Sequence, residues 1–485
     1  MMVVSTRAGT ETKQGFSQWW TALPAAEAES RVLSFVPYLQ KPPSHTHTGS
    51  EPPSRSHSPL LHPGRHHGEP DLPPSANSIT DPWGPRAWSS RMVPLSGKAR
   101  VLNELSVARP ADQTADNLVI LHGYGAGLGF FYKNFEPLSR AKGWHLYALD
   151  LLGMGRSSRP PFRIQAKGRD QQIAEAEDWF VDSLEEWRAS NKIDKMTLLG
   201  HSMGGYMAVC YALKYPGRLN KLILASPVGI PEDPYATDAD MADPPASTLE
   251  TEFTQDQAAD STKAHQNPNP HRLRADESSN NSSINNNSSS SSSPAPRRPL
   301  PKWLTYLWDA NISPFSFVRL SGPLGPRLVS GWTSRRFSHL PQDEALALHD
   351  YAYSLFRLRG SGEYALAYIL APGAFARSPL IRRIQGLGRQ TLANGEQENG
   401  VPVVFMYGEN DWMDVNGGYA AKKKIDARRE KLLEGQSAAA RAQDRGSAKV
   451  VVIPKAGHHL YLDNPDAFNE VLRKEMEDVS SHVVL

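Results

Sequence analysis

Cysteine is almost absent from this 485-residue chain: Cys210 stands alone, so no intrachain disulfide can form and no cysteine-built zinc or iron–sulfur site is available. Such usage fits a reducing compartment. No run of about 18 apolar residues occurs, which excludes a spanning helix, and the first residues lack the apolar core of a secretory signal. Membrane contact is therefore expected to be peripheral. Neither sign of charge prevails, since 53 Lys and Arg against 51 Asp and Glu leave a formal charge of +2. That balance argues against a nucleic-acid partner. Apolar residues are also few, 39% against a usual ~45–50%. With 39 prolines, part of the chain cannot build a core.

The deficit is local. From about Pro42 to Arg91 the chain is Pro, Ser, His and Gly with few aliphatics, and from about Asp243 to Arg298 it passes through a Ser/Asn tract, Ser278 to Ser293. Segments this poor in apolar surface do not offset their ordering entropy, and both are expected to be disordered. The histidines between His45 and His67 are read as solvated linker rather than a metal site. Residues 15–40 carry Trp19, Trp20, Leu33 and Phe35 at helix-compatible spacing, predicting a short helix that docks on the body or on a membrane.

Elsewhere β-rich runs alternate with amphipathic helical ones. The expected strands are Val101–Val107, Asn117–Leu121, His145–Leu149, Met196–Leu199, Lys221–Ala225, Val401–Tyr407 and Lys449–Ile453; helices are expected near Gln172–Ser190, Gly417–Leu433 and Pro465–Val479. This alternation predicts an α/β fold with a mostly parallel sheet and helices on both faces. The break after Ala225, Pro-rich and then helical up to about residue 400, predicts an inserted, mainly helical cap over the strand C-termini, where open α/β sheets carry their sites. The expected organisation is an N-terminal extension over 1–96, core halves over 97–235 and 396–485, and a cap over 236–395.

The chemistry enters at Gly200-His201-Ser202-Met203-Gly204, a GxSxG turn between an expected strand and an expected helix. Such an elbow projects the serine hydroxyl from the sheet edge, which nominates Ser202 as a nucleophile. A serine needs a base and the base an orienting acid. His458, in the loop after the last strand, is the candidate base, with His459 as its competitor. Asp411, which closes Tyr407-Gly408-Glu409-Asn410-Asp411, is the candidate acid, with Asp414 as its rival. The bland alternatives are that Asp411 caps the next helix and that His458 is an ordinary loop histidine. Negative charge on the former carbonyl oxygen requires two N–H donors: that of Met203, after the nucleophile, and one from His122-Gly123-Tyr124-Gly125, assigned to Tyr124. A dinucleotide-binding reading fails on spacing, because Leu128 and Ser158 stand where GxGxxG needs its third glycine. No metal or organic cofactor is required by this chemistry.

The segments LHGYGAGLGFFYKNF, DLLGMGRSSRP, GHSMGGYMAVCYALKYP, Gly360 to Ile384, YGENDWMD and GHHLYLDNP together resemble the subfamily 4/5 branch of abhydrolase-domain proteins. Within that branch the chain is most similar to fungal cardiolipin-specific deacylases and their lysophosphatidic-acid acyltransferase relatives. The resemblance covers most of residues 97–235 and 300–485. It implies an α/β-hydrolase fold and an active enzyme, since Ser202 is present where some animal members have lost the nucleophile and serve as lipase co-activators. It carries the acid onto Asp411, although some relatives use the position of Asp414. The branch's HxxxxD motif, an acyltransferase signature there, falls on His458 to Asp463. The plainer physical reading has Asp463 capping the last helix.

The expected function is cleavage of fatty-acyl esters of phospholipids, of a cardiolipin-deacylase kind, through an acyl-serine intermediate. Acyl-CoA-dependent acylation of lysophosphatidic acid is the enzymatic alternative, and a non-catalytic lipase co-activator or lipid-surface scaffold the other. Between Arg297 and Arg336 aromatic and basic residues mix, suiting an anionic membrane surface, though cap helices also need aromatic cores. Arg377, Arg382 and Arg383 are further candidate phosphate contacts or plain surface residues. The resemblance places the protein at the mitochondrial inner membrane, with cytoplasm or lipid droplet as alternatives, while Glu11 makes the N-terminus a poor presequence.

Overall fold

Apolar side chains on both faces of every central strand dictate a sheet buried from two sides. The computed structural model describes residues 23–39, 81–110, 112–232, 310–371 and 375–483. It contains an eight-stranded sheet: β1 (Ala87–Pro94), β2 (Val101–Ala108), β3 (Asp116–Leu121), β4 (Trp144–Leu149), β5 (Met196–His201), β6 (Leu219–Ala225), β7 (Pro402–Gly408) and β8 (Ser447–Ile453). Their order is β1-β2-β4-β3-β5-β6-β7-β8, with β1 and β2 antiparallel to their neighbours and all other pairs parallel. Along β3 the pleat separates the layers. Val119 and Leu121 join Phe180 and Trp187 of α3 (Arg169–Ser190) and Tyr206 and Met207 of α4 (Met203–Lys214). Leu118 and Ile120 instead join Phe135 of α2 (Tyr132–Leu138) and Phe468 and Leu472 of α9 (Pro465–Val483). This period-2 partition is what a parallel sheet covered on both faces requires.

Between β6 and β7 lie the cap helices α5 (Pro314–Leu320), α6 (Gly325–Arg336) and α7 (Gln342–Phe356), while α8 (Val415–Leu433) packs against β8. The Ser/Asn insert, the histidine-rich stretch, Trp19 and Trp20 lie outside the described residues. No helix among the described residues is long and apolar enough to cross a membrane.

Among the described residues of the N-terminal extension, the expected helix is α1 (Ala25–Leu33), and it docks on the body: Val32 and Leu33 are buried and α1 packs along α7. Its Glu29 enters the interior, accepting hydrogen bonds from Asn103 and Tyr351 (3.0 Å each) and pairing with Arg156. Burial pushes the Glu29 carboxyl up to about 7, against the opposing pull of Arg156.

The expected disordered linker does not reach Arg91, because Ala87–Pro94 forms the edge strand β1, in register from Ala87 opposite Ala108 to Pro94 opposite Val101. Its polar sequence hid it, as an edge strand buries little and tolerates proline at its end. Arg91 sits opposite Glu104 and pairs with it at 2.6 Å. Just before β1, the fully buried Arg86 binds Asp81 Oδ2 (2.5 Å), Glu136 Oε1 (2.9 Å) and Ser139 Oγ (2.8 Å). Replacing Arg86 by Ala strands the buried Asp81 carboxylate and leaves Glu136 to Arg140 alone. Denaturant unfolding is expected to show a loss of about 3–5 kcal/mol, whereas a dangling linker would show none.

Candidate active site

Parallel strands bring the ends of β3, β5, β6, β7 and β8 to one edge of the sheet, so loops distant in sequence meet there. At the end of β5 the chain turns into α4 within one residue, and Ser202 occupies that turn at φ 52°, ψ −116°. A non-glycine residue in that region is strained, and it persists only where its surroundings hold it. They do so here. Ser202 N–H donates to the Ala225 carbonyl at 2.9 Å, and its own carbonyl accepts from Gly205 and Tyr206. The flanking glycines answer a steric demand: a Cβ on Gly200 would lie 2.3 Å from the Gly204 carbonyl oxygen, and one on Gly204 2.6 Å from that of His122.

The loop after β3 lies directly on the serine, since a Cβ on Gly123 would meet Ser202 Cβ at 3.0 Å and His201 Nδ1 at 2.9 Å. His122 fixes that loop. Its Nε2 accepts from Leu151 N–H (3.0 Å), so Nδ1 carries the proton and donates to the Gly123 carbonyl (2.7 Å). Burial lowers the His122 pKa, favouring this neutral form. Tyr124 follows immediately, with its ring stacked on Phe315 of the cap at 5.0 Å. Met203 opens α4, where the first N–H groups have no intrahelical acceptor. Of the two expected oxyanion donors, Met203 directly follows the serine and Tyr124 follows the glycine that lies against it.

Asp411 and His458 are brought together: the imidazole Nδ1 donates to Asp411 Oδ1 at 3.2 Å, both side chains being buried. Asp411 also accepts from Met413 N–H (3.0 Å) and from the Ser226 hydroxyl. Burial works against its ionisation, but the His458 ring, Ser226 and Met413 outweigh it and hold the pKa below the usual carboxylate value. The carboxylate stays charged and aimed at Nδ1, leaving Nε2 as the basic nitrogen. His201, next to the serine, holds the base from behind, with its Nε2 bonded to the His458 carbonyl at 2.9 Å. Trp412 covers the other side, its ring 4.9 Å from the imidazole.

The rivals go elsewhere. Asp414 is exposed and caps α8 through Asn416 N–H (2.9 Å), and it is this residue, not Asp411, that does the capping. His459 is buried against Phe130, His201 and Tyr461, away from Asp411, and burial pushes its pKa well down.

Asp463 does not cap the last helix. Asn464, the residue before the first-turn Pro465, takes that part through Ala467 N–H at 3.2 Å. Asp463 Oδ2 instead accepts from Gly457 N–H (2.8 Å), one residue before His458, and its Oδ1 pairs with Arg336 of the cap at 3.2 Å. Arg383 is not a free phosphate ligand, for it pairs with Glu177 at 2.5 Å beside Tyr206 and Cys210; Arg382 pairs with Glu232. Burial raises the Cys210 thiol well above its ordinary value, which keeps it inert behind the elbow.

Ser226, His122 and Asp463 escaped the sequence reading as site supports. Ser226 had one findable signal: it is the first residue after β6, on the edge where the other loops gather.

A family model described as the alpha/beta hydrolase fold matches residues 116–465. The chain is 32% identical over 397 residues to a 1-acylglycerol-3-phosphate O-acyltransferase of Arabidopsis thaliana, covering 80% of this chain and 73% of that protein. It is 30% identical over 367 residues to the human 1-acylglycerol-3-phosphate O-acyltransferase ABHD5, covering 75% and 78%. The human (Lyso)-N-acylphosphatidylethanolamine lipase is 28% identical over 375 residues, covering 76% and 82%. Among solved structures, a membrane phospholipase A described as a bacterial virulence factor matches at 15% identity with a TM-score of 0.41, covering 81% of this chain and 87% of that one.

An alkyl fluorophosphonate, which reacts only with an activated serine, should label the chain at Ser202. Asp411→Asn is expected to slow labelling by roughly 10³–10⁴-fold, and Asp414→Asn by less than about twofold. Equal effects of the two substitutions would overturn the assignment of the acid.

Proposed function

Because this chain belongs to the α/β-hydrolase fold family, and within it to the abhydrolase subfamily 4/5 branch, we propose that it is a serine hydrolase cleaving fatty-acyl esters of phospholipids. The observation that carries the reading is the buried 3.2 Å contact between His458 Nδ1 and Asp411 beside a serine held at a strained elbow. Ser202 Oγ attacks the ester carbonyl as His458 Nε2 takes its proton. The Met203 and Tyr124 N–H groups receive the resulting oxyanion. Collapse expels the alcohol, protonated by the imidazolium that Asp411 stabilises, and leaves the acyl group on Ser202. Water, deprotonated by the same imidazole, then releases the fatty acid.

Cardiolipin deacylation at the mitochondrial inner membrane is the narrower form of this reading and rests on resemblance. Phospholipid as the substrate class is supported by the lipid chemistry in the relatives' names. Peripheral contact with an anionic membrane is supported by the cap. Phe317, Leu320, Leu324 and Leu328 are exposed on and around α5 and α6, beside the exposed Arg327 and Arg335. The apolar surface there is mostly aliphatic; Phe315, Trp332 and Phe337 turn inward and pack within the cap.

Acyl transfer is the second reading, favoured by relatives named as acyltransferases. It needs the same acyl-serine and a lysophospholipid in place of water. Purified protein supplied with cardiolipin vesicles, or with acyl-CoA and lysophosphatidic acid, distinguishes the outcomes. Hydrolysis predicts free fatty acid, lost by at least about 10³-fold in Ser202→Ala. Dominant phosphatidic acid would make the protein a transferase, and vesicle binding with no turnover a scaffold.

A further inference from the structure

His458 sits in the loop between β8 and the helical turn Leu460–Asp463. The Ala456 carbonyl accepts from Asn410 N–H (2.8 Å), the His458 carbonyl from His201 Nε2 (2.9 Å), and the His459 carbonyl from Leu462 and Asp463 N–H (2.7 and 3.0 Å). All of those partners belong to the core. The Gly457 N–H differs, because it donates to a side chain, Asp463 Oδ2, at 2.8 Å. A Cβ on Gly457 would stand 3.3 Å from that oxygen, so glycine leaves the carboxylate room to approach.

A carboxylate turns about its own side-chain bonds, and what fixes this one comes from the cap. Arg336, the last residue of α6, reaches both Asp463 oxygens through Nη2, at 3.2 and 3.3 Å; the two side chains are 9% and 12% exposed. His339 adds a ring nitrogen 3.6 Å from Oδ1. The end of α6 is itself anchored, since Phe337 packs on Phe130 (6.0 Å) and the Thr333 hydroxyl hydrogen-bonds His349 of α7 at 2.8 Å. An exposed ion pair would contribute little here, whereas breaking one this buried leaves a charge uncompensated.

Arg336 also lies close enough to the histidines for its charge to act on them: burial first, and Arg336 second, push the His459 pKa well down. Asp463 sets a negative charge against it. The charged and titratable groups around His458 are therefore Asp411 on its Nδ1 side, His201 and His459 as neighbouring rings, and Asp463, Arg336 and His339 behind its backbone.

We propose that Arg336 is a positioning residue for the base: through Asp463 and the Gly457 N–H, this cap arginine fixes the backbone that carries the His458 imidazole. The acid of the HxxxxD motif is then a support that hydrolysis and acyl transfer would share, and it takes neither proton nor acyl group itself. The kinetic consequences rest on the serine-hydrolase reading; the hold on His458 rests on the contacts alone.

The test uses the full chain with Arg336→Gln, Asp463→Asn or both, and reads fluorophosphonate labelling of Ser202 beside hydrolysis of a soluble dihexanoyl phospholipid. Each single variant is expected to lower the labelling rate and kcat together by about 10- to 100-fold, with KM changed less than about twofold. The double variant should be no slower than the worse single one, since both act on one contact. Arg336→Lys, which keeps the charge without the planar fork, should recover part of the rate and serves if the Gln variant melts early. A raised KM with labelling and kcat intact would reduce Arg336 to a staple of the cap and overturn the proposal. Loss of acyl transfer to lysophosphatidic acid in Asp463→Asn, with labelling intact, would overturn it too, by returning Asp463 to transfer chemistry. The hold on the base is read separately by NMR, from the His458 Cε1–H resonance of isotope-labelled histidine in a Ser202→Ala background. Its titration midpoint should rise in Arg336→Gln, which leaves the Asp463 charge facing the ring, and fall in Asp463→Asn, which leaves that of Arg336. Midpoints unmoved in both would overturn the proposal. If they move as stated and the wild-type chain neither labels nor hydrolyses, the positioning stands and the hydrolase reading fails.

Discussion

The hydrogen bond between His458 and Asp411 spans the ends of two adjacent parallel strands, β8 and β7, and the rest of the site is arranged to make it hold. A charged carboxylate in a buried position is expensive unless its lone pairs are occupied. Asp411 meets that condition with an imidazole, the Ser226 hydroxyl and the Met413 N–H. Each comes from a different part of the chain, so the sheet must form before the pair can. Once formed, the pair leaves one imidazole nitrogen able to accept a proton, and the elbow at Ser202 is built beside it.

The same economy recurs one layer out. Asp463 grips the backbone immediately before His458 and reaches Arg336 on the cap, which ties the base-bearing loop to the domain that covers it. Its position explains, without chemistry at Asp463 itself, why an acidic residue five places after the histidine belongs here. On the far side, Glu29 of the N-terminal helix joins Asn103 of the core and Tyr351 of the cap. That helix is thus a strut between core and cap rather than a loose extension.

Much of this was legible in the sequence because the central strands are short apolar runs with a single physical solution. Leu118 to Leu121 can only be a strand buried on both faces once helices flank it. The elbow was legible because GxSxG followed a strand and preceded a helix. Asp411 could not be separated from Asp414 by pattern, since both stand in the same loop; one hydrogen bond to Asn416 N–H sends Asp414 to the helix end. Strand β1 was missed because an edge strand carries polar residues that mimic a linker.

The central claim is that Ser202 carries the acyl group. Rapid acid quench of the protein during turnover of a phospholipid with one defined acyl chain, followed by peptide mass spectrometry, tests it directly. The account predicts a mass increase equal to that acyl group on the peptide containing Ser202, accumulating before fatty acid release reaches steady state. Turnover with that peptide unmodified, or with the acyl group on another residue, would contradict it.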